Sequence, residues 1–212
     1  MIRVLVADDH TIVREGLKRI LAGEDDIEVA GEAVNGHEVM QRVREGGFDL
    51  LVLDMSMPGK SGVELIKQVK DERPRLPVLV LTMHEEGEYA VRAIRAGASG
   101  YLTKEGATAQ LVEAIRRIAA GRVYISPAVA EQLALDAMPA ASGDEPHKQL
   151  SDREFEVFRL LVAGKGVSEI ARQLHLSVKT VSTHKTNLLA KMRMASIAEL
   201  VRYSMERHLF EK

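Results

Sequence analysis

Residues 49–54 read DLLVLD, and residues 55–59, MSMPG, follow directly. The run from Leu50 to Leu53 is apolar without alternation, as a parallel strand covered on both faces requires. It ends on a carboxylate, Asp54, just before a Pro-Gly turn. Residues 78–83, VLVLTM, repeat the pattern. Three further β-type runs flank these two: RVLVADD from Arg3, IEVAGEA from Ile27 and SGYLTK from Ser99. Successive starts lie 24, 22, 29 and 21 residues apart, leaving room for one helix after each strand. Amphipathic stretches fill those gaps at 11–22, 36–45, 61–72 and 86–96, and a fifth follows at 108–120. Gly97 and Gly121 stand where helices end. Five βα units in series predict an α/β fold with a doubly wound parallel sheet in the order 2-1-3-4-5. Its ligand crevice lies beyond the carboxyl ends of strands 1 and 3.

The whole chain has 212 residues, 46% apolar and 28% charged, with a formal net charge of -2. It is globular in composition and long enough for two ordinary domains. The absence of cysteine excludes disulfide scaffolds, thiolate-ligated zinc and thiol catalysis. No apolar run approaches the roughly 18 residues of a membrane helix. The first residues run straight into a strand with no signal peptide, so a cytoplasmic protein without membrane contact is expected. The net charge averages unlike parts: residues 1–122 carry -3, residues 123–149 carry -3 and residues 150–212 carry +4. Between Glu169 and Glu199 no acidic residue occurs, while Arg172, Lys179, Lys185, Lys191 and Arg193 do. A basic segment on an acidic chain points to a separate module with an anionic partner, or simply to a solvated helix face.

The expected division is residues 1–122, a linker at 123–148 with a helix after Pro127, and residues 149–212. Residues 139–146 are small, polar and rich in Pro and Gly, as flexible linkers are. Beyond them, Ser151 with Glu154 forms a capping box, and Leu150 can staple onto Phe155. Short helices on either side of His175-Leu176, the second capped by Ser177, describe a helix-turn-helix. Ser196 and Glu199 open a fourth helix.

Three carboxylates converge on the predicted crevice: Asp8 and Asp9 after strand 1 and Asp54 at the end of strand 3. Each alone would pass for a turn former, but together they repel unless a cation neutralises them. Mg2+ suits such oxygen ligands. Thr82 and Lys104, at the ends of strands 4 and 5, add a hydroxyl and an ammonium suited to a phosphoryl group. His10 and His84 also lie near strand ends, where loop or packing roles outweigh metal or base roles.

These positions make residues 1–122 resemble the receiver domain of two-component response regulators. The matching residues are the acidic pair, Asp54, Met57-Pro58-Gly59, Thr82 and Tyr101-Leu102-Thr103-Lys104. The resemblance implies that Asp54 accepts a phosphoryl group from a sensor histidine kinase. It also implies that Asp8, Asp9, Asp54 and the Ser56 carbonyl hold Mg2+, that Pro58 shapes the loop, and that Tyr101 follows Thr82 as a switch. Leu150-Ser151 with Glu154, Ile170-Ala171 with Leu174, Ser177, Lys179-Thr180-Val181, His184 and Lys191 are similar to the LuxR-type DNA-binding domain. The whole pattern is that of the NarL/FixJ response regulators, which are transcription regulators rather than enzymes. Promoter DNA, RNA polymerase and a second copy of the chain are the partners this implies.

At 100° per residue, Val181, Leu188 and Met192 share one face of the third helix of this domain. Lys179, Ser182, Thr183 and Thr186 share the opposite face, with Thr180 and Lys185 at its edges. This polar, basic face is one a major groove admits. Ser182, Thr183 and Thr186 stand where many relatives carry Lys or Val, so base preference does not carry over. Ile197, Leu200 and Val201 lie on one side of the last helix, which the family uses for dimerisation; packing within the domain is the alternative. Two rival functions remain: an aspartyl-phosphate hydrolase, disfavoured because Ser56 stands where the second aspartate of such enzymes would be, and a protein-binding adaptor, disfavoured by the acid-free basic window.

Overall fold

The computed structural model describes residues 1–57, 62–83, 87–137, 145–207 and 209–210. Pro58, Gly59, His84 and residues 138–144 of the expected linker lie outside the described residues. The chain forms two compact units, Met1–Ala137 and Met138–Lys212.

In the first unit, β1 (Ile2–Ala7), α1 (Thr11–Leu21), β2 (Ile27–Ala33), α2 (Gly36–Glu45), β3 (Leu50–Asp54) and α3 (Gly62–Glu72) alternate. They continue into β4 (Val78–Thr82), α4 (Glu88–Arg95), β5 (Gly100–Thr103), α5 (Lys104–Ala119) and α6 (Pro127–Ala137). All strand pairings are parallel, in the order β2-β1-β3-β4-β5, as the sequence predicts. Every residue of β3 and β4 is buried, which is why neither run alternates. Leu5, Leu51, Leu53 and Val80 point into one core layer, and Val4, Val6, Val52 and Leu79 into the other. Gly97 and Gly121 take positive φ, 105° and 78°, just past the ends of α4 and α5.

Two boundaries move. The helix expected at 108–120 begins at Lys104, because Thr103 caps it by accepting from the Gly106 amide at 3.3 Å. Residues 123–137, expected in the linker, pack onto the sheet unit. The Tyr101 amide donates to the Tyr124 carbonyl at 2.9 Å, and the Tyr124 amide to the Ser99 carbonyl at 2.9 Å, lining the β5 edge. A Cβ on Gly100 would lie 2.9 Å from that Tyr124 oxygen, so a glycine is needed there. Val129 of α6 is 2% exposed and shares a core cluster with Ala90, Ala93 and Tyr101.

The second unit holds a 3-10 turn (Pro146–Gln149), then α7 (Asp152–Val162), α8 (Val167–Gln173), α9 (Val178–Met192) and α10 (Ile197–Glu206). The Ser151–Glu154 capping box is present in both directions, and Leu150 and Phe155 are both buried. Ser196 caps α10 through the Glu199 amide, while the Glu199 carboxylate accepts from Ala195 N. Val181, Leu188 and Met192 are buried as the helix wheel predicts.

Candidate functional site: an acidic pocket and a basic helix

The sheet register assembles the pocket. Ala7 pairs with Leu53, so the next residue of each strand, Asp8 and Asp54, come level at the carboxyl end. Asp54 pairs with Leu81, placing Thr82 one step beyond; Thr82 pairs with Thr103, next to Lys104. Asp8, Asp54 and Thr82 are buried at 1%, 2% and 0% exposure. Asp9 is partly exposed.

The Lys104 ammonium lies 2.6 Å from Asp8 Oδ2 and 3.0 Å from Asp54 Oδ2. It pairs with both carboxylates, and these two oxygens and Asp9 Oδ1 are all buried. The other Asp54 oxygen accepts from the Ser56 amide at 3.2 Å. Asp8 Oδ1 accepts from the His10 amide at 2.8 Å, and Arg14 Nη1 donates to the Asp8 carbonyl at 2.8 Å. Burial pushes the Asp54 carboxyl up from the usual carboxylate range; Lys104 opposes the shift without cancelling it. Burial disfavours the Lys104 ammonium, but Asp8 and Asp54 outweigh it and hold its pKa above the ordinary lysine value.

Asp8, Asp9, His10 and Asp54 offer ligand atoms within 4.8 Å of one another. Three carboxylates with buried oxygens this close together, served by one ammonium and one imidazole, are a donor set that a hard divalent cation fits. His10 joins this group against expectation: its Nδ1 lies 2.9 Å from Asp9 Oδ1 and 3.2 Å from Asp8 Oδ1. Its adjacency to the acidic pair was the available signal. Tyr101 is 1% exposed on β5, under the cluster that α6 completes.

In the second unit, the turn between α8 and α9 places His175 at a left-handed φ of 53°. Ser177 then caps α9 through the Thr180 amide at 3.0 Å. Lys179, Ser182, Thr183 and Thr186 are exposed, and Thr180 and Lys185 half-buried, so the expected polar face is open. Asn187, also exposed, joins that face and was not anticipated. The dimer candidates separate. Ile197 and Val201 are half-buried, and Met205 beyond them is 64% exposed. Leu200 is corrected: at 0% exposure it packs inside its own unit and offers no surface. His147, also unanticipated, is buried with its Nδ1 2.7 Å from the Tyr203 hydroxyl.

A parallel α/β unit with a lysine-bridged acidic pocket at its switch point, joined to a helix-turn-helix, is the architecture of a two-part signalling protein. The family description "Response regulator receiver domain" matches residues 4–116, and "Bacterial regulatory proteins, luxR family" matches residues 148–204. The chain belongs to the two-component response regulators of the NarL/FixJ type, transcription regulators rather than enzymes. It is 39% identical over 200 residues to the response regulator GacA of Pseudomonas viridiflava, covering 94% of each chain. To the oxygen regulatory protein NreC of Staphylococcus carnosus it is 37% identical over 215 residues, covering 99% of each. It is similar to RcsB of Salmonella enterica serovar Typhimurium, solved on the promoter rprA with a phosphomimetic, at TM-score 0.66 and 28% identity, covering 95% of this chain and 97% of that one. Among the described residues, no helix is long and apolar enough to cross a membrane.

Proposed function

We propose that Asp54 accepts a phosphoryl group from a sensor kinase histidine, and that this controls promoter binding through α9. The observation that carries the reading is the Lys104 bridge to Asp8 and Asp54, with Thr82 one strand away. An Asp54 oxygen attacks the phosphorus, the P–N bond breaks, and the departing imidazole retains the bonding electron pair and takes a proton. Lys104 offsets the charge that this in-line approach brings together. Asp8, Asp9, Asp54 and the Ser56 carbonyl would hold Mg2+, which supplies further charge neutralisation when bound. Thr82 and Lys104 are the groups drawn to the phosphoryl oxygens, and Tyr101 follows Thr82.

Lys179 and Ser182 are the leading contacts to promoter DNA, with Thr180, Thr183, Lys185 and Thr186 around them. Two copies pair through the Ile197 and Val201 side of α10, and RNA polymerase is the downstream partner. The promoter-bound, phosphomimetic state of the similar RcsB structure supports this order of events. Incubation with acetyl phosphate and Mg2+ tests it. The wild-type chain gains one phosphoryl group by intact mass and then retards promoter fragments at lower protein concentration. The Asp54→Asn variant gains none and shows no such shift. Labelling of the variant, or equal DNA affinity with and without phosphorylation in the wild type, overturns the reading.

A further inference from the structure

The hydroxyl groups of α9 are not equally available to DNA. Ser177 and Thr180 share a hydrogen bond at 2.8 Å, and the Ser177 oxygen also caps the helix. Thr183 donates its hydroxyl hydrogen to the Lys179 carbonyl at 3.0 Å, and Thr186 donates to the Ser182 carbonyl at 3.0 Å. These bonds to the carbonyl four residues back turn each oxygen against the helix backbone and leave each methyl group outward. Ser182 alone among the five has a hydroxyl with no intramolecular partner among the described residues. Thr183 and Thr186 are nonetheless both exposed, at the centre of the polar face.

We propose that Thr183 and Thr186 recognise thymine through their methyl groups, so that α9 selects T·A pairs at the two positions they face. The inference rests on the DNA-binding reading above and deepens it. In the major groove the thymine C5 methyl is the apolar feature on a base edge, and a threonine methyl is a recognised partner for it. Threonines three residues apart rise about 4.5 Å along a helix, close to the ~3.4 Å between stacked bases, so they address adjacent or nearly adjacent pairs. Lys179 and the uncommitted Ser182 hydroxyl supply the polar contacts around them. With the hydroxyl hydrogen committed to the helix, each threonine has no donor left for a base edge, and its methyl group is the feature that can match a thymine.

The test uses the full-length chain treated with acetyl phosphate and Mg2+. A site is selected from randomised duplexes. Each thymine of that site is then replaced singly by deoxyuridine, which removes only the methyl group. Two thymines per half-site should each show about a fourfold loss of affinity, the worth of one buried carbon. Thr183→Val and Thr186→Val, which keep the methyl group, keep the deoxyuridine effect. Thr183→Ser and Thr186→Ser each lose about fourfold per half-site, and one thymine of each half-site becomes indifferent to deoxyuridine. Circular dichroism confirms that all variants fold, and the paired Val and Ser substitutions separate shape from hydroxyl chemistry. No deoxyuridine-sensitive thymine, or loss in the valine variants with retention in the serine variants, overturns the proposal while leaving DNA binding intact. Failure of the wild-type chain to bind any duplex in a salt-sensitive manner overturns the DNA-binding reading and the proposal with it.

Discussion

Replacing Lys104 with methionine keeps most of the side-chain volume and removes one charge from between two buried carboxylates. In the wild type the ammonium stands 2.6 and 3.0 Å from Asp8 and Asp54, with its own side chain 11% exposed. At an effective dielectric near 20 these contacts attract by about 6 and about 5.5 kcal/mol. Desolvation of the three ions and repulsion between the two aspartates consume much of that. Removing one partner of such a buried cluster typically costs about 3–5 kcal/mol. The loss is capped because Asp54, whose pKa burial already raises, relieves the repulsion by taking a proton. At roughly 4 °C per kcal/mol for a unit of this size, the receiver transition should fall by about 12–20 °C. Differential scanning calorimetry in chelator reads this, with the transition of the DNA-binding unit as internal control. The double variant Lys104→Met/Asp54→Asn should regain at least about half of the loss, since only one carboxylate then stays unpaired. Added Mg2+ should raise the single variant's transition more than the wild type's, because no ammonium competes for the same oxygens. A fall of less than about 1 kcal/mol, or a double variant no more stable than the single one, would refute the idea that Lys104 holds the acidic pocket together.

Three further outcomes follow from burial and pairing. Burial opposes ionisation of Glu154, but Lys191 at 2.6 Å and the Ser151 amide at 2.8 Å outweigh it and hold the carboxyl below the usual glutamate range. A depressed folded pKa means that this stabilisation is complete above the ordinary glutamate value, about 4.3, and is lost as pH falls through the lower folded value. Thermal melts across acid pH should therefore show the DNA-binding unit losing stability there, with a flatter profile for Glu154→Gln. Leu200→Ala should cost about 2–5 kcal/mol of the same unit's stability by urea titration, whereas Val201→Asp should leave folding intact and weaken self-association in sedimentation. Val129→Asp, at a site 2% exposed, should destabilise the receiver unit by several kcal/mol, while Leu135→Asp on the same helix, 51% exposed, should not; equal effects would show that α6 does not belong to that unit.

The sheet was legible because burial on both faces writes itself as unbroken apolar runs: Leu50–Leu53 and Val78–Leu81 have no polar position for a solvent face to occupy. Strand order then followed from spacing, and the pocket from strand ends. The start of α5 was not legible because Gly106 interrupts the helical periodicity; only the Thr103 cap marks it. The docking of α6 was hidden for a related reason. Its sequence, PAVAEQLALDA, is apolar around most of its circumference, so no stripe announces which side packs. Leu200 and Val201 look alike as residue types, and only the helix's seating distinguishes a core leucine from a half-buried valine.

Charge is subject to the same subtraction as the hydroxyls of α9. The C-terminal segment carries a net +4, but several of its cations are already spent. Lys191 neutralises Glu154, and Lys165 lies 3.4 Å from Glu169. Within α8 and α9, Arg172, Lys179 and Lys185 are the cations that no carboxylate of the described residues pairs. Counterion release gives a slope in log affinity against log salt of about -0.9 per phosphate neutralised. Three available cations predict roughly -2.7 per protomer and about -5 for a dimer, a shallow dependence for a DNA-binding protein. Lys179→Ala should reduce the slope by about 1 per protomer with a uniform loss across duplexes, whereas Thr183→Ser should change sequence preference without moving the slope. A dimer slope steeper than about -8 would mean that cations beyond these three, the paired ones included, are recruited to the backbone. Affinity that leans so little on phosphates must come from base contacts and from pairing of two copies, which is the step that phosphorylation of Asp54 is placed to control.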